Sequence, residues 1–321
     1  MTTNPRHPAR EAAELIGDGS TVRVLEPSPP AVTEEPFLAD DPAAVANADG
    51  VVVTPTSAGT RSWDDIVNER PELAEFARTH WLANRKQLGP VPADYPTARE
   101  AFHRLAFAVV AEARRVSNTK FGLRYTRGGF GTPFFGADEQ VRIEGTTLVH
   151  QTADEVRTTP ITSIRAAAEF VGVTPGSDAA EHDSPPLGDV DAALEVGDAA
   201  GTFIGEWFGF AWAVLEEIRL TEGAIDVDRP QLWPGHFDPA LAMGDAETGG
   251  RATYGLSPGD QSSDEPYLYV GAWGEVDGDD PFWNATTFNG ATLPYSELIT
   301  AEDPYAAAIE FFHAGHAKLS A

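Results

Sequence analysis

The stretch "RYTRGGFGTPFFG", residues 124–136, brings Arg124 and Arg127 next to Gly128, Gly129 and Gly131 in a chain with few positive charges. Guanidinium groups beside exposed glycine N–H donors suit an anion or carboxylate. The glycines do not make a phosphate loop, because no Gly-Lys-Ser/Thr follows. Nor do they open a helix, as a dinucleotide fingerprint requires. The competing reading is a bulged, bent strand whose glycines let the chain turn while its phenylalanines fill the core.

"WPGHFD" supplies a second set. On a strand, His236 and Asp238 would share one face. That pairing suits a base oriented by a carboxylate, or two ligands of a metal whose third ligand no spacing fixes. Ser257 sits in Gly255-Leu-Ser-Pro-Gly259, and with His236 and Asp238 or Asp260 it completes a nucleophile–base–acid set. Two features oppose that reading. Pro258 lacks the N–H that serves an oxyanion hole after a nucleophilic serine, and no helix signal follows. Ser-Pro-Gly-Asp is first a tight turn. Tyr267 and Tyr269 alternate onto one strand face and suit a pocket wall, within an aromatic cluster that includes Trp273, Phe282 and Trp283. His313 and His316 share a helical face, at a spacing that serves a metal or the negative end of a helix.

The elements that must position these residues are read from the rest of the chain. It has 321 residues, no cysteine and a net charge of −28, from 50 acidic and 22 basic residues. Disulfides, thiolate metal sites and a cysteine nucleophile are excluded. Such a surface repels phosphates, so nucleic acid and anionic membrane are poor partners, whereas a small molecule, a protein partner or a homo-oligomer remains open. There is no apolar run of membrane-spanning length and no apolar signal core at the N-terminus, which predicts a cytoplasmic protein.

Residues 1–60 are proline-rich and acidic, without helical period, and read as an extended arm with one short strand near Asp49–Pro55. Ser62 or Asp64 caps a helical segment that follows. "PTAREAFHRLAFAVVAEARRV" carries an apolar stripe at Phe102, Leu105, Ala106, Val109, Val110 and Ala113, the signature of an amphipathic helix. Strand-like pieces come next, with Gly145 turning a hairpin, and then a short helix opened by a Thr/Ser cap. Residues 174–198 read as an acidic Gly/Pro linker. "AAGTFIGEWFGFAWAVLEEIRL" is apolar on almost every side, as a buried core helix is. Further strands lead to a last helix with Asp303 as cap and Pro304 at its first position.

"AFAVVAEARR" (106–115) lies over "FAWAVLEEIR" (210–219) without gaps. The reading is α+β: antiparallel sheet with flanking helices, in two pseudo-repeated α-β-β-β-α halves at 61–173 and 199–321, with a groove between them.

Four segments, "KFGLRYTRGGFGTPFFGADEQVRIEG", "LWPGHFDPALAMG", "YGLSPGDQSSDEPYLYVGAW" and "LPYSELI", resemble a family of uncharacterised actinobacterial proteins of unknown function. The resemblance runs from about Arg61 to the C-terminus. It implies an intracellular bacterial protein and carries over no catalytic residue or cofactor. With no cysteine, no complete catalytic motif and a proline-rich arm suited to wrapping, the expected function is non-catalytic binding of a small ligand or protein partner near Arg124, Arg127, His236 and Tyr267. The alternatives are a hydrolytic or metal-assisted enzyme built on His236 and Asp238, and an assembly component that exchanges its arm.

Overall fold

The computed structural model describes residues 23–24, 53–54, 88–126, 128–133, 135, 139–152, 155–176, 185–219, 221–228 and 230–320. The helical segment expected over 62–87 and most of the arm lie outside these residues. The short strand expected near Asp49–Pro55 is present as Val53–Thr54, paired antiparallel with Arg23–Val24.

The first long helix, α1, runs as Tyr95–Leu105, a wider π-helical stretch Ala106–Ala111, and Glu112–Asn118. Every residue of the π stretch is buried. Five antiparallel strands follow in chain order: β1 Arg124–Thr126, β2 Gly129–Gly131, β3 Gln140–Glu144, β4 Thr147–Gln151 and β5 Val156–Pro160. Helix α2, Ile164–Val171, closes this half. Ser163 accepts from the Ala166 N–H at its start, and Gly172 ends it at φ 90°.

A second run of helix and strands follows. Helix α3, Asp198–Ile218, precedes a second meander of five strands: β6 Gln231–Trp233, β7 Asp238–Met243, β8 Ala252–Ser257, β9 Tyr267–Ala272 and β10 Gly290–Pro294. A short α4, Tyr295–Leu298, and α5, Pro304–Leu319, end the chain. Asp303 caps α5 by accepting from the Tyr305 and Ala306 N–H groups, as its position before Pro304 predicts. The fold is α+β, with five strands in each sheet where three or four were expected. The added strands are β2, three residues and too short for alternation to reveal, and the division of the 231–244 stretch into β6 and β7 by the turn at 234–237. Among the described residues no helix is long and apolar enough to cross a membrane.

The two sheets meet edge to edge at one point. Leu123 and Leu232 exchange both backbone hydrogen bonds at 2.9 Å, just before β1 and within β6. The helices make the rest of the connection. Phe130 of β2 meets Phe102 of α1 and Phe208 of α3 edge-on, while Tyr254 of β8 meets Phe312 of α5. The segment read as a linker is partly laid along the helices. Arg104 of α1 donates to the Leu187 carbonyl, and the Leu194 N–H donates to the Thr162 carbonyl.

The glycine-rich stretch finds its explanation in α3. A Cβ at Gly205 would stand 2.7 Å from the Gly128 carbonyl oxygen, and one at Gly201 would stand 2.9 Å from Gly145. A Cβ at Gly129 would stand 2.1 Å from the Ile143 carbonyl oxygen. Glycines on both sides let the helix lie directly on the β1–β2 and β3–β4 turns. The stretch is a bent strand pair shaped to receive a helix.

Candidate functional site

The described residues enclose a cleft of about 1150 Å³ over the face of the second sheet turned away from α5. Register determines its floor. Ala240 and Ala242 of β7, Thr253 of β8 and Gly271 of β9 line it, with Ala242 and Gly271 the cross-strand neighbours of Thr253. Small side chains at these positions leave the sheet almost bare. Trp233, Trp273 and Phe288 stand around it, 47%, 61% and 37% exposed. Glu100 and His103 of α1, with Pro185 and Pro186, add one rim from the first half.

Asp238 opens β7 at the end of this floor and is buried. A tight loop places it there. Trp233 and Asp238 pair across residues 234–237, and Phe237 takes φ 58°, a left-handed conformation costly for an aromatic residue. Its ring repays that strain by filling the core, stacked on His103 at 5.3 Å and edge-on to Phe130 and Phe208. His103 holds the same loop by donating from Nε2 to the Pro234 and Gly235 carbonyls at 3.0 Å. Burial pushes the His103 imidazole below the usual histidine range, against the pull of those two carbonyls and of Glu100. With Phe237 directed into the core, Asp238 turns to the opposite, cleft side.

One Asp238 oxygen, Oδ2, accepts a short hydrogen bond from the Tyr269 hydroxyl. The other, Oδ1, is buried with no hydrogen-bond partner. Burial raises this carboxyl above the usual range. The Tyr269 hydroxyl, His236 and the residue's own backbone N–H act in the other direction, and Asp260 adds to the rise. Tyr269 reaches Asp238 across the intervening strand because position 255 is glycine. A Cβ there would lie 2.4 Å from the tyrosine Cζ.

Asp260 is the contrasting carboxyl. Its Oδ1 accepts from the Ser262 N–H and hydroxyl at 2.6 Å and from the Ser263 N–H at 3.1 Å. Its Oδ2 accepts from the Tyr267 hydroxyl at 2.6 Å. Burial alone would raise its pKa, but these hydrogen bonds outweigh it and hold the group below the usual range. The loop that carries it is tied to α1, where the Tyr95 hydroxyl donates to the Pro258 carbonyl and Arg99 to the Ser263 carbonyl.

The structure therefore gathers His236, Asp238, Ser257, Asp260, Tyr267 and Tyr269 around one cleft. Two expectations need correction. His236 lies in the 234–237 loop and not on a strand, because the chain turns there before β7 begins. Ser257, buried, ends β8, and its hydroxyl accepts the Gly259 N–H at 3.1 Å, as the tight-turn reading of Ser-Pro-Gly-Asp expects. The proposed glycine-arginine site is elsewhere. Arg124 is buried, donates from Nε to the Tyr125 carbonyl, and lies 5.5 Å from the Trp212 ring centroid, while Gly128 and Gly129 lie under α3. None of these three lines the cleft, and Arg127 falls outside the described residues.

Phe282 and Trp283 also leave the expected aromatic cluster, with Phe282 meeting Phe311 of α5 at 5.4 Å. Among the described residues no three His, Asp or Glu side chains form a metal-holding group. Sequence reasoning missed Trp233, Thr253, Gly271 and Phe288 as lining residues. Alternation along β8 and β9 was the available signal for Thr253 and Gly271. Compared with known proteins, the chain matches no family model, no curated protein and no solved structure.

Proposed function

We propose that this protein binds a small molecule in the cleft over its second sheet and performs no reaction on it. The observation that carries this reading is Asp238, a cleft-lining residue whose buried Oδ1 has no hydrogen-bond partner among the described residues. A buried acceptor without a donor costs about 1–3 kcal/mol. A ligand that supplies the donor recovers that free energy on binding. Exposed aromatic side chains around a concave surface add apolar contact area for the rest of the ligand.

The test uses native mass spectrometry on protein purified gently from its host, together with the variant Gly271→Leu. Position 271 has room for a Cβ, whose nearest neighbour would be 3.9 Å away, so leucine fills the floor without disturbing the sheet. Retention of a molecule by the native protein and its loss from Gly271→Leu is the expected result. A retained molecule that survives this substitution, or a chain that carries none and quenches no tryptophan fluorescence with any metabolite extract, refutes the reading.

A hydrolytic reading has one specific support. Asp238 is held toward its protonated form and Asp260 toward its ionised form in the same cleft, as an acid and a base would be. The hydrogen bonds that depress Asp260 also occupy both its oxygens, which leaves it poorly placed to activate water. Turnover of a chromogenic ester or glycoside that disappears in both Asp238→Asn and Asp260→Asn would favour this second reading.

A further inference from the structure

The identity of the missing donor follows from what the other cleft groups already do. The Tyr269 hydroxyl donates to Asp238 and the Tyr267 hydroxyl to Asp260. Trp273 Nε1 donates to Thr253 Oγ1 at 3.0 Å, and Asn289 Nδ2 to the Gly274 carbonyl at 2.5 Å. These four side-chain donors are engaged within the cleft wall, with Gln261 and Thr287 at its exposed margin, while Asp238 Oδ1 is a buried acceptor without a hydrogen-bond partner among the described residues. A sugar or other polyol brings acceptors as well as donors and would compete for those engaged groups. An ammonium group brings donors only.

Charge points the same way. The acids lining the cleft are Glu100, Asp228, Asp238 and Asp260, and no lysine or arginine lines it among the described residues. Two of the acids are neutralised from the rim, Glu100 by Arg99 at 2.7 Å and Asp228 by Arg251 at 2.8 Å. Asp238 faces His236, and neither Asp238 nor Asp260 is paired with a lysine or arginine among the described residues. The surrounding field of a chain at −28 draws cations toward the cleft and repels carboxylates and phosphates. Aromatic rings at its margin, Trp233 and Phe288 among them, favour a cation over a neutral group of the same shape.

Resting on the cleft-binding reading above, we infer that the ligand is a small organic ammonium whose N–H donates to Asp238 Oδ1, with its apolar body lying on the Ala240–Gly271 floor.

Titration calorimetry on the full chain tests this with three probes: 2-phenylethylamine, its neutral counterpart 2-phenylethanol, and maltose. The expected result is that the amine binds at least about tenfold more tightly than the alcohol, the increment of one charge-assisted hydrogen bond. Asp238→Asn should remove that preference while leaving the folded baseline intact by circular dichroism. Asp245→Asn, a surface acid outside the cleft lining, should leave it unchanged and so separates a local effect from bulk charge. Equal affinity for amine and alcohol, or an amine preference that survives Asp238→Asn, overturns the inference. Saturable maltose binding without amine binding overturns the ligand class while the cleft reading stands. Silence from all three probes also overturns the ammonium assignment, and the retained-molecule experiment then decides the cleft reading separately.

Discussion

The Tyr269 hydroxyl reaches the Asp238 carboxylate from two strands away, passing over Gly255 of the strand between them. An aromatic ring laid over a strand glycine covers the bare backbone. Here it also fixes the orientation of a buried acid, so three residues on three strands act as one unit.

Gly255→Ala breaks that unit. Its Cβ would occupy the position of the tyrosine ring edge, so the ring must move and the Asp238 contact must lengthen. Overpacking of this kind costs about 1–3 kcal/mol. The cost should appear in urea denaturation as a lower midpoint, and most of it should vanish in a Tyr269→Ala background. A full cost in that background would show that the glycine answers to some other neighbour.

Asp238 makes stability depend on pH. A carboxyl whose folded pKa is raised binds its proton more tightly in the folded chain than in the unfolded one. Stability is then greatest at low pH for this group, and it falls as pH rises from the unfolded carboxylate value through the raised folded value. His236, Asp260 and Tyr269 act directly on this group, and Glu100, His103 and Asp228 share its cleft. Asp238→Asn keeps a neutral acceptor for Tyr269, so its melting temperature should exceed the parent's near neutral pH and match it near pH 4. A parent that melts equally at both pH values, with no gain from asparagine, contradicts the assignment.

Gly205→Ala tests the helix–turn contact. Helix propensity favours alanine by about 1 kcal/mol. Against this, its Cβ would stand 2.7 Å from the Gly128 carbonyl, a backbone atom that cannot move aside. The clash should win, with a net loss of about 1–2 kcal/mol by chemical denaturation. A stabilised variant would mean that α3 sits further from the β1–β2 turn.

Arg124→Lys separates the buried arginine from the cleft. Lysine keeps the charge but loses the planar contact with Trp212, and the expected cost is about 1–2 kcal/mol of stability. Affinity for a cleft ligand, measured at a temperature where the variant is folded, should be unchanged. Reduced affinity would return the arginine to the site.

Much of this architecture was legible from pattern alone. The apolar stripe from Phe102 to Ala113, the all-round apolar α3 and the Asp303-Pro304 start of α5 each carry a period or a cap that local physics dictates. The six cleft residues His236, Asp238, Ser257, Asp260, Tyr267 and Tyr269 were also legible as chemistry. Their meeting in one cleft was not, because it depends on the register that sets Gly255 opposite Tyr269 and Ala240. Arg124 misled for a related reason. Glycines beside an arginine look the same whether the backbone is opened for a ligand or for a helix. The deciding signal lay some seventy residues away, in the i, i+4 spacing of Gly201 and Gly205 on α3.

The bare floor has a practical corollary for engineering. Trp233, Trp273 and Phe288 reach solvent and contribute little to the core, and surface substitutions of this kind usually change stability by less than about 0.5 kcal/mol. On the cleft-binding reading, recognition and folding fall to different residues. A library randomised at these three positions should yield new ligand preferences in proteins that melt as the parent does, whereas the same effort directed at Phe237 or Gly255 should yield mostly unfolded chains.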